Sequence, residues 1–256
     1  MGLNAFEYSF GRGVQLSQAT AEAIGEAAAL ESVALSVHAP YYINLATEDT
    51  DKAAANIRYL MQSVTAARWM GAVRVVFHPG TPGKLPYADA FTRVKAGLLV
   101  AAEALGTALD DVALCPETMG RPSQIGSLEE TIELCALDSR FLPALDFAHL
   151  HARGRGAINT EQDYEAILNK LEAGLDPERA KRFHIHFAHI QYTAAGEKMH
   201  RKFSDEGFGP DFTPLARQLV RRGMEPVVIC ESQGTMAEDA AEMKRIYMEE
   251  REAYED

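Results

Sequence analysis

Six apolar runs carry an imidazole or a carboxylate near their C-terminal end: His38 in VALSVHAP, His78 in AVRVVFHPG, Glu117 in DVALCPE, Asp146 in FLPALDF, His186 in FHIHFAH and Glu231 in EPVVICES. Any one of them could simply cap a helix or face solvent. Six in succession outweigh that reading, because imidazoles and carboxylates converging from successive strand ends are what divalent metals require. Mixed nitrogen and oxygen donors of this kind suit zinc or manganese. The spacing Asp146-Phe147-Ala148-His149 sets a carboxylate and an imidazole three residues apart, so that both can address one cluster, and the stretch QYTAAGEKMHRKFSDEGFGPDF supplies His200. For both histidines a surface-loop role competes with ligation. His184, two residues before His186, shares its side of a strand but lies deeper, and reads as a hydrogen-bonded supporting group. His151 and His189 read as structural, and Cys115 and Cys230 as small buried apolar residues.

These residues need a frame that brings strand ends together. Short β-rich runs alternate with longer amphipathic stretches along the whole chain, the pattern of repeated βα units around a parallel sheet. Seven units are visible, the first strand reading AFEYSF. Most of the strands are apolar on both faces, as buried parallel strands are. The intervening stretches, such as DKAAANIRYLMQSVTAARWMG and ADAFTRVKAGLLVAAEAL, repeat apolar residues at helical spacing. The fold class is therefore α/β, a TIM-type β/α barrel in a single domain over residues 1–256, with active-site residues expected on its C-terminal rim. A closed barrel of this type has eight units, so the first βα unit is expected to be the missing one. The 22-residue stretch around His200 reads as the longest irregular segment, and a loop of such length in a compact domain is usually functional.

Composition narrows the function classes. The 47% hydrophobic content supplies one sizeable core, and the formal net charge of -12 argues against a general nucleic-acid coat. It leaves a nuclease open, since carboxylates used as ligands are compensated by the cations they hold. Three scattered cysteines, Cys115, Cys135 and Cys230, indicate neither a disulfide framework nor a thiolate zinc site, and fit a reducing cytoplasm. No signal segment or membrane span is read, so a soluble, cytoplasmic monomer is expected. GRG at Gly11 to Gly13 and HPGTPG at His78 to Gly83 lack the spacing of a phosphate-binding glycine loop, and no nucleotide cofactor is implied.

HAPYYINLA from His38, FHPG from Phe77, PET from Pro116, LDFAH from Leu145, HFAH from His186 and CES from Cys230 resemble, in order and interval, the signatures of the endonuclease IV family. The resemblance spans nearly the entire chain. It implies a β/α barrel with a trinuclear zinc site that cleaves DNA on the 5′ side of an abasic sugar. On that resemblance His38 and His78 would hold one metal with Glu117, which would bridge to a second held by Asp146, His186 and Glu231. His149 and His200 would hold a third. Glu117 as the bridge and Glu231 as the group that orients or deprotonates the attacking water are the catalytic candidates. Two or three zinc ions per chain are implied, with manganese as the substitute, and DNA carrying abasic sites as the partner. Tyr41 resembles a residue that lies against DNA, and Arg12 falls where the family has an arginine-bearing DNA loop. The family pattern has an aspartate two residues before the last histidine, where this chain has Lys198, so weak third-metal binding is expected unless a one-residue shift brings in Glu197. A sugar isomerase or epimerase of the xylose isomerase-like group, using one metal on Glu117, Asp146, His186 and Glu231, is the alternative, followed by an inactive metal-binding barrel.

Overall fold

The computed structural model describes residues 1–11 and 13–255. Arg12 lies outside the described residues, and its expected DNA contact with it. From the N-terminus the chain runs through β1 (Ala5–Ser9), α1 (Gln18–Leu30), β2 (Ala34–His38), α2 (Thr50–Met70), β3 (Arg74–Phe77), α3 (Tyr87–Leu105), β4 (Ala113–Pro116) and α4 (Leu128–Ala136). It continues through β5 (Ala144–Asp146), α5 (Phe147–Arg153), α6 (Glu161–Gly174), α7 (Pro177–Lys181), β6 (His184–Phe187), β7 (His189–Thr193), β8 (Gly196–Arg201), α8 (Thr213–Arg222), β9 (Val227–Cys230) and α9 (Met236–Glu255).

The seven runs read as strands are β1 to β6 and β9, and all of them pair in parallel. They form a four-stranded sheet, β1-β2-β3-β4, and a three-stranded sheet, β5-β6-β9, joined by parallel bridges Leu114 to Phe141 and Glu117 to Ala144. β9 lies beside β1, which brings the strands round into a barrel. Helix ends follow local chemistry. Asp49 accepts from the Asp51 and Lys52 amides to start α2, left-handed Gly71 ends it, and Ser127 with Glu130 forms a capping box on α4.

Strand alternation divides the interior into two compartments. Leu35, Val37, Val75, Phe77, Leu114, Leu145, Ile185 and Phe187 belong to the main core, which packs the strands against the helices. Val76, Cys115 and Ala144 form a separate small cluster on the other side of the strands, inside the barrel. Around them the barrel interior is polar, with Ser36, Arg74 and His184 buried. Such a lining leaves room for chemistry at the mouth at the cost of apolar packing.

Residues 202–212 form no helix or strand, but the first half of the stretch expected to be irregular, through Arg201, is instead ordered as the antiparallel hairpin β7–β8. Its sequence conceals the strands because their outer face is solvated, and EKMHR has no apolar alternation. The pairing contains a bulge: Gln191 faces Met199 and Tyr192 faces Glu197, leaving Lys198 without a partner.

Candidate metal centre at the barrel mouth

The parallel register brings the chemical residues to one end of the barrel. His38 and Asp146 close β2 and β5, His186 stands in β6, and His78, Glu117 and Glu231 directly follow β3, β4 and β9. The structure gathers them, with His149 and His200, into three overlapping groups whose potential ligand atoms lie within 4.8 Å of one another: His38, His78 and Glu117; Glu117, Asp146, His186 and Glu231; and Asp146, His149 and His200. Glu117 belongs to the first two groups and Asp146 to the last two.

Hydrogen bonds aim the donors. His38 Nδ1 donates to the Ala39 carbonyl (2.7 Å) and turns Nε2 toward Glu117 Oε2 at 3.3 Å. His149 likewise donates from Nδ1 to the Thr118 carbonyl (2.9 Å), leaving Nε2 for the cluster. His186 is turned the other way, with Nε2 on Glu7 Oε1 (2.9 Å) and Nδ1 on Glu117 Oε1 (3.0 Å). Asp146 divides its work: Oδ1 accepts from the His149 amide at 2.7 Å and caps α5, while buried Oδ2 has no hydrogen-bond partner. An orphaned buried carboxylate oxygen is costly unless a cation completes it.

The bulge at Lys198 bears on the third position. In a regular strand, residues two apart share a face, but one extra residue resets the alternation. Glu197 and His200 therefore face the cluster together while Lys198 points to solvent. Glu197 Oε2 comes within 2.9 Å of His149 Nε2, and although burial opposes ionisation, this contact holds the Glu197 carboxyl below its usual range. Gly120 makes the room: a Cβ there would sit 2.3 Å from that carboxylate oxygen. Glu197, three residues before His200, thus stands against His149 of the third group without belonging to that group itself.

The group's electrostatics are those of carboxylates and imidazoles holding one another charged. Burial opposes ionisation of Glu117, but the charge of His186 and bonds from the three surrounding histidines hold its carboxyl well below the usual range. Burial likewise disfavours imidazolium at His38, and the Glu117 bond and charge outweigh it, pushing the pKa up to about 9. His149 and His186 are raised well above the ordinary histidine value despite burial, the first chiefly by Asp146, the second by Glu231. Asp146 goes the other way: burial dominates, and its carboxyl rises to about 6. Protons thus occupy positions that divalent cations would take.

The donor set fits such cations. It combines imidazole nitrogen with the carboxylates Glu117, Asp146 and Glu231, with a fourth, Glu197, beside His149, and no thiolate, since Cys115, Cys135 and Cys230 are buried with their thiols held neutral by burial. Of the other expected residues, Tyr41, in the loop that follows β2, stands 63% exposed with its ring edge-on to Tyr42. His184 is fully buried below His186, and buried His151 accepts the Ile158 amide. The residue that sequence reasoning missed is Glu7 of β1, which lies beneath His186. Its signal was a carboxylate in the middle of an otherwise apolar strand.

A family model described as a xylose isomerase-like TIM barrel matches residues 1–251. An uncharacterized protein of Methanocaldococcus jannaschii is 32% identical over 91% of this chain and 83% of its own length. A protein of Mycoplasma pneumoniae described as probable endonuclease 4 is 31% identical over 53% of this chain, which spans 48% of that relative. Among solved structures, a D-tagatose 3-epimerase-like protein superposes with a TM-score of 0.72 at 17% identity, covering 98% of this chain and 89% of the other. Endonuclease IV from Thermus thermophilus does so with a TM-score of 0.69 at 22% identity, covering 98% and 90%. At those identities the likeness is one of fold. No described helix is long and apolar enough to cross a membrane.

Proposed function

Because the chain belongs to the xylose isomerase-like TIM barrel family, we propose that within it this protein hydrolyses DNA phosphodiesters on the 5′ side of abasic sites, using two or three divalent cations, zinc or manganese. The observation that carries this reading is the linking of three ligand groups through the shared carboxylates Glu117 and Asp146. Cations held there would supply positive charge for a phosphodiester and lower the pKa of water near it. With neutral imidazoles, the four carboxylates balance two dications, and a third would leave the mouth positive enough to attract a phosphate in a chain whose net charge is -12.

The protein's own groups divide the remaining work. Glu117 fixes the spacing of the first two positions. Glu231, with its side chain 27% exposed and its oxygens 3.4 Å from His186 Nδ1 and 3.6 Å from His200 Nδ1, would orient a water and accept its proton. Tyr41 offers a solvent-facing ring for the exposed sugar or a neighbouring base. Arg121, whose Nε lies 3.6 Å from Glu197, offers a cation for the adjoining strand. Selectivity would follow from extrusion, which costs least where no base is stacked.

The test is a duplex with one abasic site, given to protein stripped with chelator and reloaded with zinc, manganese or magnesium. A nick on the 5′ side that leaves a 3′ hydroxyl, far faster than on undamaged duplex, is expected. No nick with any of the three cations refutes the proposal. The second reading, a keto-sugar epimerase, is favoured by one observation: Glu117, Asp146, His186 and Glu231 form a complete four-ligand group without the other histidines. Under that reading, loss of His78 and His200 leaves the activity intact, and deuterium from solvent enters the sugar at the epimerised carbon.

A further inference from the structure

Below the metal centre, Glu7 is a carboxylate set in the barrel interior at the middle of β1, where it has no access to the cleft. Its side chain is only 6% exposed. Oε2 accepts from Ser36 Oγ at 2.7 Å, and Oε1 accepts from His186 Nε2 at 2.9 Å. His184 Nε2 stands 3.2 Å from Oε2 but outside hydrogen-bond geometry. Two different strands thus hold the carboxylate by direct bonds, and one of them carries a residue of the four-ligand group.

We propose that Glu7 is a positioning residue for the central cation: by accepting the Nε2 proton of His186 it holds that imidazole as the Nδ1-ligating tautomer and makes Nδ1 a stronger donor. This deepens the metal reading of the preceding subsection and rests on it. His186 is the only imidazole in the four-ligand group with Glu117, Asp146 and Glu231. His38 and His149 anchor Nδ1 to backbone carbonyls and leave Nε2 for the cluster. For His186 the arrangement is inverted, and the acceptor is a full negative charge in place of a peptide dipole. A carboxylate behind a ligating histidine fixes the ring and raises its basicity, and losing such a partner typically costs about 10- to 100-fold in metal affinity. Ser36 keeps the carboxylate from turning, since its bond occupies the oxygen that His186 does not use.

Glu7, His184 and His186 also place potential ligand atoms within 4.8 Å, as a cation site of their own would. Direct bonding is favoured, because the bond from His186 has the length and direction of N–H···O, so a cation would have to displace that proton and turn His186 into a bridging imidazolate.

The test uses the whole chain of residues 1–256 loaded with zinc and three variants, Glu7→Gln, Ser36→Ala and His184→Gln, with zinc retention measured against a graded chelator. Glu7→Gln keeps the shape and removes the charge, and is expected to weaken retention of one zinc by about 10- to 100-fold with the total number bound unchanged. Ser36→Ala and His184→Gln should change it several-fold at most. In ¹⁵N-histidine spectra of the zinc-loaded protein, His186 should show a metal-bound Nδ1 and a protonated Nε2, whose proton resonance moves upfield in Glu7→Gln. A merely structural role would lower the unfolding midpoint without moving that resonance. Unchanged zinc affinity together with an unmoved Nε2 proton in a folded Glu7→Gln variant overturns the inference. Loss of one whole zinc equivalent in both Glu7→Gln and His184→Gln overturns it in favour of direct ligation. Wild-type protein that takes up no cation overturns both readings, whereas zinc uptake without nicking of abasic DNA defeats only the nuclease assignment.

Discussion

Stripping the cations should make the protein sensitive to alkali, and the size of the effect follows from His38. In the metal-free fold its imidazolium faces Glu117, and its pKa stands at about 9 in place of 6.5. A folded-state value above the unfolded one contributes stability that is fully present below pH 6.5 and is lost as pH rises through about 9. The shift corresponds to about 3 kcal/mol at roughly 1.4 kcal/mol per pH unit, a large share of the stability of an ordinary domain. His149 and His186, also raised, act with the same sign. Asp146 does not interfere: its raised value makes its contribution disappear as pH passes about 6, below the window. The three buried thiols begin to contribute in the same direction above about pH 8.5. The His38 share is therefore the difference between the native protein and His38→Gln. Urea unfolding followed by the fluorescence of Trp69, at intervals from pH 6.5 to 9.5 with chelator present, measures it. The stripped native protein should lose about 2–3 kcal/mol more than His38→Gln over that range, and the zinc-loaded protein much less. Equal pH dependence in the native and variant proteins, or stability that rises toward pH 9.5, would refute the reasoning.

Glu117→Gln removes charge from two ligand groups at constant volume, so it should bind fewer cations and lose nicking by orders of magnitude while retaining its circular dichroism. Lys198→Ala should leave zinc stoichiometry unchanged, because the bulge turns Lys198 to solvent, whereas Glu197→Gln should release one zinc at lower chelator concentration than the rest. Gly120→Ala should fold and yet reproduce the Glu197→Gln phenotype, since its new Cβ takes the place of the Glu197 carboxylate. Equal zinc retention by Gly120→Ala and the native protein would show that Glu197 has another way in.

The barrel was legible because buried parallel strands leave a strong mark: VALSV, AVRVVF and FHIHF are too apolar to sit anywhere but in a core. Polar residues at their ends then stand out by position alone. The hairpin was not legible, since residues such as Glu197, Lys198 and Arg201 on a solvated strand look like any surface loop. Nor could the facing of Glu197 be read without the cross-strand register, because a bulge inverts every side beyond it. Glu7 escaped for a different reason. Attention to strand ends passes over a carboxylate in mid-strand, although a charge flanked by Ala5, Phe6 and Tyr8 can persist in a barrel only if something inside compensates it.

The hairpin that brings Glu197 and His200 to the mouth meets the loop after β4 through the Glu197 amide, which donates to the Gly120 carbonyl at 3.1 Å, while Ile190 donates to the Gly209 carbonyl of the hairpin's own following segment at 2.8 Å. A cation shared by Asp146, His149 and His200 would stitch two segments about fifty residues apart in sequence, closing a long loop much as a disulfide would. Removal of metal would then do more than silence chemistry: it would unlatch one wall of the cleft. The two strand-borne groups could keep their cations while the arm swings, so the protein would lose its grip on a substrate before it lost its core, and a protease would find the Thr193 to Gly196 turn first.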